Sequence, residues 1–354
     1  SGFKWRPLYR LLKEKAKVDK VDDRQVSTGD MDQEKTPLLS VILATPAGYS
    51  TIRKTVSHLR SQTARSSLEL VVVAPSKELL DQEVDQLDGF ACYQVVEIKR
   101  FQSIGQANAA GIRQARAPIV ALAEDHCFPD PQWAENLLSA HQGPWVAVGP
   151  GVRNANPNTA VSWADLFIGY GPWLTPAPSR EAEFLPGHNT SYKREILLGY
   201  GDQLDAMMEA ETVLHWDLRG KGHQLYMEST ASVAHTNFSL WSSWVPAQFY
   251  NGRLFAGARA RQKPLPWRFM FALGSPLIPI VRLWRIWTGL PSQELKFQFL
   301  SCLPALIIGL AVDGMGQMFG YALGTGNALD KVARFEVDRF KHIREQDRLE
   351  ILGF

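Results

Sequence analysis

The chain has 354 residues, 45% hydrophobic and 21% charged, enough apolar material for a large core, and the composition excludes a disordered protein. Lys plus Arg number 38 and Asp plus Glu 36, and the resulting net charge of +2 argues against a dedicated nucleic-acid binder. Three scattered cysteines, Cys92, Cys127 and Cys302, exclude a disulfide framework or a zinc knuckle and suit a reducing compartment.

Residues 3–20 mix Trp5, Leu8, Tyr9, Leu11 and Leu12 with seven Lys and Arg, and they lack the apolar run of a signal peptide. They read as a basic amphipathic helix for an anionic membrane surface, or as a solvated helix packing one edge on the domain. Residues 21–37 are polar and read as a linker. From residue 38 the pattern alternates. Residues 38–44 (LLSVILA) and 68–74 (LELVVVA) are short branched apolar runs, hence buried strands. Residues 93–98 and 119–123 read as two more. Helical spacing covers 52–61, and a small-residue helix, 105–116 (GQANAAGIRQAR), stops before Pro118. This alternation predicts an α/β fold with a mostly parallel, twisted sheet flanked by helices. Ligands of such sheets bind beyond the carboxyl ends of the strands, which directs attention to the residues after Ala44, Ala74 and Ala123.

One such end reads ALAEDHCFPDP (121–131). Glu124, Asp125 and His126 follow a buried strand directly, an oxygen-rich set with one imidazole that suits Mg²⁺ or Mn²⁺. The plainer account is a polar turn with Asp130 as N-cap and Pro131 at N1 of the next helix. In FLPGHNTSYKR (184–194), Gly187 permits close backbone approach and His188 and Asn189 offer donors and acceptors, as in a binding loop or a solvent loop. Glu209 and Glu211 lead an amphipathic helix over 207–222, either as acids favoured by the helix dipole or with one of them a general base. A strand over 224–233 follows, closed by His235. No G-x-G-x-x-G follows the first strand, and neither a Walker A sequence nor a G-x-S-x-G elbow occurs.

The last third is helical. Residues 267–287 carry Trp and Arg at both ends. Their charge-free stretch, 269–281, is too short to span a bilayer and contains Pro276 and Pro279. Residues 300–323 are long enough but include Asp313 and Gln317. These features suit interfacial or re-entrant helices, with a buried bundle or a homo-oligomer interface as the alternative. Residues 328–348 read as one charged amphipathic helix.

In this order the blocks resemble the inverting family 2 glycosyltransferases of GT-A fold. LLSVILATP looks like that family's first strand and nucleotide-side turn. SIGQANAAGIRQARAPIVALAEDHCFPDPQW looks like its helix, strand and acidic motif, with Gly105, Asn108 and Gly111 on usual positions. FLPGHNTSYKREIL is similar to its acceptor-side segment, and EAETVLHWDLRGKGHQLYMESTASVAHTN to its closing block. The resemblance implies a GT-A catalytic domain over 38–240, between a basic N-terminal helix and linker (1–37) and a helical membrane-proximal region (241–354). It implies donor binding by Thr45, Pro46, Ala74, Gly105, Asn108, Glu124 and Asp125, and an acceptor side of Gly187, His188 and Asn189. Glu211 would be the catalytic base, and Asp125, His126 and His235 would hold Mg²⁺ or Mn²⁺, with either Asp125 or His126 the principal ligand. The partners implied are a UDP- or GDP-linked sugar and a lipid-linked or membrane-proximal hydroxyl, on the cytoplasmic face of a membrane. Four positions depart from the family pattern: Ala74-Pro75 replaces an acid, His126 an Asp, Glu211 the commoner Asp, and Asp217 an Arg. A non-catalytic scaffold retaining the fold is the alternative. A nucleotidyltransferase is disfavoured, because TPAGYSTIRK holds only one Gly. Arg253 is a further candidate for the diphosphate, or a surface arginine on an amphipathic helix.

Overall fold

The computed structural model describes residues 36–80, 87–209, 211–261, 263–337 and 339–353. The basic segment 3–20 and most of its linker lie outside the described residues. The chain divides into two compact units, one of residues 36–152 with 177–234 and one of 153–176 with 235–353. In chain order the first elements are β1 (Leu39–Ala44), α1 (Tyr49–Arg60), β2 (Leu68–Ala74), β3 (Cys92–Glu97), α2 (Ile104–Gln114), β4 (Ile119–Ala123), β5 (Cys127–Pro129), α3 (Trp133–Ala140) and β6 (Ala147–Asn154). Next come α4 (Ala160–Tyr170), β7 (Arg180–Ala182), β8 (Ser191–Lys193), α5 (Arg194–Leu198), α6 (Leu204–Met208), α7 (Glu211–Gly220) and β9 (Leu225–His235). The remaining helices are α8 (Trp241–Ala260), α9 (Leu265–Gly274), α10 (Ile278–Gly289), α11 (Gln293–Ser301), α12 (Leu303–Leu323), α13 (Ala328–Val337) and α14 (Glu345–Leu352).

The fold is α/β, with one central sheet flanked by helices. Its strand order is β3-β2-β1-β4-β8-β6-β9-β5, with β7 against β9. Pairing is parallel from β3 to β4 and antiparallel at β4–β8, β8–β6 and β7–β9. Every residue of β1 and β2 is buried, which is why these strands read as unbroken apolar runs rather than alternating ones. The polar exceptions are satisfied internally. Glu69, fully buried in β2, accepts from Ser40 Oγ, from Gln94 Nε2 at 2.7 Å and from Arg116 N at 2.7 Å. The small residues of α2 let it lie against the sheet: a Cβ on Gly111 would stand 2.5 Å from Ile42 Cγ2.

Three elements differ from expectation. The helix after β5 begins at Trp133 with Gln132, not Asp130, at its N-cap position and no side-chain cap bond, because β5 carries the chain through Pro129 and the Asp130 amide bonds Ser232 O at 3.0 Å. The helix over 207–222 is broken, α6 ending at Met208 and α7 beginning at Glu211. The segment 328–348 is α13, a short 3₁₀ turn (Arg339–His342) and the start of α14.

In the second unit α9 and α10 join through a 3₁₀ turn into a helical stretch of 25 residues, Leu265–Gly289. That stretch and Leu303–Leu323 are each long and apolar enough to cross a membrane, with 11% and 50% of their apolar windows buried. The polar pair that interrupts the second is turned inward. Asp313 and Gln317 are buried, and the Asp313 carboxylate accepts from Arg282 Nη1 and from Gln317 Nε2, both at 2.8 Å. Arg253 donates its Nε–H to Gly324 O at 3.2 Å, closing the end of α12.

Helices α8 and α12 touch through glycines. A Cβ on Gly316 would stand 2.1 Å from Phe249 O, and one on Gly252 2.3 Å from Asp313 O. Gly316→Leu is therefore expected to lower the stability of this unit by at least the ~1–3 kcal/mol usual for overpacking. Nothing lies within 4 Å of a Cβ on Gly169, so Gly169→Ala is the control that leaves the melting temperature unchanged or higher. Equal melting temperatures for the Leu variant and the native chain would contradict the close helix contact.

Candidate active site

The parallel strands bring Thr45, Pro46, Ala74 and Glu124 to their carboxyl ends. After β1 the Thr45 hydroxyl bonds Gly48 O at 2.9 Å and Thr51 Oγ1 at 3.1 Å, and accepts from Gly48 N at 3.0 Å. Gly48 has φ 98°, and a Cβ there would meet Leu79 O at 2.9 Å, so this turn needs glycine. Ala74 is fully buried and pairs in register with Glu97 of β3. Glu97 accepts from Lys77 N at 2.7 Å. A carboxylate of β3 thus stands near the end of β2, where β2 itself ends in Ala74.

The acidic turn after β4 is held from outside. The Thr55 hydroxyl of α1 lies 3.0 Å from Glu124 O, 3.1 Å from Asp125 O and 3.4 Å from Cys127 O. Within the turn His126 Nδ1 is 2.6 Å from Asp125 Oδ1, and His126 Nε2 is 3.6 Å from Glu124 Oε2. Glu124 and His126 are buried, and Asp125 is 14% exposed.

The loop 184–190 then joins this turn to α7. His188 Nδ1 is 3.3 Å from Glu124 Oε1 and 3.8 Å from Glu211 Oε1. Asn189, buried and in the left-handed region at φ 62°, donates from Nδ2 to Glu124 Oε2 at 3.4 Å. A Cβ on Gly187 would meet Glu211 Oε2 at 2.9 Å. The two carboxylates singled out in the sequence, Glu124 and Glu211, therefore flank one imidazole at one rim of the sheet. Glu211 opens α7, in the first turn of the helix.

Two further expectations, Gly105 and Asn108, fall on α2. Gly105 lies against the Glu209 backbone and carboxylate, a close packing contact of α2 with the segment before α7. Asn108 is buried on α2. His235 closes β9 and belongs to the second unit. There its Nε2 is 3.0 Å from Tyr170 OH and its Nδ1 3.0 Å from Asn237 Oδ1, so both ring nitrogens face protein oxygens.

Beside Glu209, which the sequence offered as the alternative base, two groups, His215 and Tyr192, went unnoticed in the sequence. Glu209 accepts from Ser103 Oγ, and burial, with the Glu211 charge adding to it, holds its carboxyl above the usual range. His215 lies one turn after Glu211, fully buried. Its Nδ1 accepts from Leu185 N at 3.4 Å, so its Nε2–H donates to Tyr192 OH at 2.9 Å. Burial pushes this imidazole down to about 3, and burial together with the Glu211 charge raises the Tyr192 phenol. His215 ties α7, β8 and the start of the 184–190 loop into one piece. A lone histidine on an amphipathic helix carries no signal of such a role.

Residues 40–201 match the model of glycosyl transferase family 2, which takes in the turn after β1, the acidic turn and the 184–190 loop. Residues 40–201 are thus similar to a family 2 glycosyltransferase domain. Among curated proteins, the uncharacterized protein y4gI of Sinorhizobium fredii is 28% identical over 146 residues, 39% of this chain. This chain spans only 16% of that relative's length. Among solved structures, residues 1–349 of S. aureus TarS in complex with UDP-GlcNAc align over 87% of this chain and 93% of that one, with 15% identity and a TM-score of 0.43. The same fragment with UDP aligns over 86% and 91%, with 14% identity and a TM-score of 0.42.

Proposed function

We propose that this glycosyltransferase moves a hexose from a nucleoside diphosphate sugar to an acceptor hydroxyl in a single displacement that inverts the anomeric carbon. The observation that carries the reading is the meeting of Glu124 and Glu211 at His188 Nδ1, at the rim where the parallel strands end. Glu211 takes the proton of the acceptor hydroxyl as its oxygen bonds to the anomeric carbon. The bond from that carbon to the diphosphate oxygen breaks, and the nucleoside diphosphate leaves with the electron pair. His188 and Asn189 orient Glu124 and line the acceptor side, and Gly187 lets the backbone approach the base.

Glu124, Asp125 and His126 fit a divalent cation, since they offer carboxylate oxygens and one imidazole within a single short turn, a set suited to Mg²⁺ or Mn²⁺. A bound cation would supply positive charge against the departing diphosphate. The long apolar helices of the second unit favour a membrane-proximal or lipid-linked acceptor, and the free cysteines suit the cytoplasmic side.

The test is a thermal-shift panel of UDP- and GDP-sugars, each with and without Mg²⁺ or Mn²⁺, followed by product analysis. The donor is expected to add about 2.7 kcal/mol of stability at a hundredfold its dissociation constant. Turnover should release free nucleoside diphosphate. Pyrophosphate instead would indicate nucleotidyl transfer, and binding without any turnover would indicate a scaffold.

A further inference from the structure

The stretch Leu265–Gly289 shows two faces. One packs inward: Ala272 and Ser275 are buried, Pro279 lies against Gly314, and Arg282 pairs with Asp313 at 2.8 Å. The other is bare. Leu265, Phe269, Leu273, Leu277, Ile280 and Trp284 are 61, 56, 81, 62, 66 and 65% exposed. Their spacing of three and four residues makes one stripe along the helix. From residue 265 to 284 every exposed residue is apolar, proline or glycine, over about 30 Å of helix. The adjoining α12 extends this surface with Ile307, Met315, Phe319 and Leu323, 50, 52, 39 and 68% exposed. Exposed apolar surface on this scale marks an interaction site.

The stripe's ends carry cations and indoles. Arg261 and Arg285 are exposed at either end, Trp287 follows, and Lys296 Nζ stands 5.6 Å over the Trp287 ring. That is the composition of a bilayer interface, apolar below and cationic and aromatic at headgroup level. Length and composition alone would permit a span. The opposite flank argues against one. Helix α12 packs on α8 and α8 on α13. Helix α13 starts at the end of α12, where Ala328 N bonds Thr325 O, and the chain returns along α8 until His342 meets Ser243 Oγ at 3.0 Å. The exposed residues of α13 include Asp330 and Arg334. A crossing bundle would sink this charged flank into hydrocarbon, whereas a bundle lying flat wets it and buries only the bare stripe.

We infer that the stripe of Leu265–Gly289, with the exposed edge of α12, seats the second unit flat in one leaflet of a phospholipid bilayer, its helices parallel to the surface. This deepens the membrane side of the proposed function. It is read by binding rather than turnover, so either can fail alone.

The experiment uses the full chain with sealed vesicles of phosphatidylcholine, with and without phosphatidylglycerol. The native protein is expected to float with the vesicles, more completely with the anionic lipid. Leu273→Asp combined with Ile280→Asp is expected to lower the bound fraction at least tenfold without moving the melting temperature, since both side chains are exposed. Arg334→Glu on the far flank is expected to leave binding intact. Depth is read by single cysteines at the two ends, Pro264→Cys and Gly289→Cys, in a Cys92→Ser background. An impermeant maleimide outside the vesicles should label both; labelling of one end only means the helix crosses and overturns the inference. Native protein that stays unbound, or a double Asp variant that binds normally, also overturns it. A dimer in lipid-free solution that the same variant dissolves would assign the face to a second copy instead.

Discussion

Replacing Glu211 with Gln is expected to slow sugar transfer by about 10²–10⁴-fold, the usual contribution of a positioned general base. The amide has the size and shape of the carboxylate, so the contact with the Gly187 backbone survives while the capacity to take a proton is lost. The effect should fall on kcat, with donor affinity little changed, because the residues at the ends of β1, β2 and β4 are untouched. Glu209→Gln is the informative companion. Glu209 is held by Ser103 and already resists ionisation, so its loss should cost far less than that of Glu211. Steady-state rates of nucleoside diphosphate release for both variants decide the matter. A Glu211→Gln enzyme retaining a tenth of native turnover would remove Glu211 from the chemistry.

Mild acid should weaken the first unit through two neutral histidines. Burial is the main cause that pulls His215 down to about 3 and His141 down to about 4, with Lys193 adding to the latter. In the unfolded chain both would titrate near 6.5. Below that value the unfolded chain gains protons that the folded one refuses, so stability is complete above pH 6.5 and declines as the pH falls toward 4. Each group contributes about 1.4 kcal/mol per pH unit, giving about 5 kcal/mol for the pair between pH 6.5 and 4.5. Denaturant melts of the native chain at pH 7, 5.5 and 4.5 measure the slope, and carboxylates contribute equally to every variant. His215→Gln and His141→Gln, each less stable at pH 7, should show flatter profiles. Parallel profiles for native and variant proteins would contradict the assignment.

Legibility in the sequence followed burial. Strands β1, β2 and β4 were readable because both of their faces are covered, leaving uninterrupted branched apolar runs. Helix α2 was readable from its small residues and the proline behind it. Strands β7 and β8 were not, since three residues are too few to display alternation and their partners lie far along the chain. The break before Glu211 was hidden because MMEAE contains neither Gly nor Pro, and tertiary contacts of Glu209 with Ser103 and Gly105 set the local path instead. Glu124, His188 and Glu211 were singled out by residue type together with the resemblance of their blocks to family 2 glycosyltransferases, and the structure brings them within reach of one another. The Tyr192–His215 bond could not, because it joins a strand and a helix through two residues that each look like ordinary core.

The turn after β1 and the acidic turn after β4 share a support. Thr45 fixes the first turn of α1 through Gly48 and Thr51, and Thr55, one turn further along the same helix, grips three carbonyls of residues 124–127. Residues 45–55 therefore behave as a rigid bracket. A displacement of the Thr45 turn would therefore be passed along α1 to the backbone of the acidic turn. Thr55→Val would keep the bracket's shape and cut that linkage.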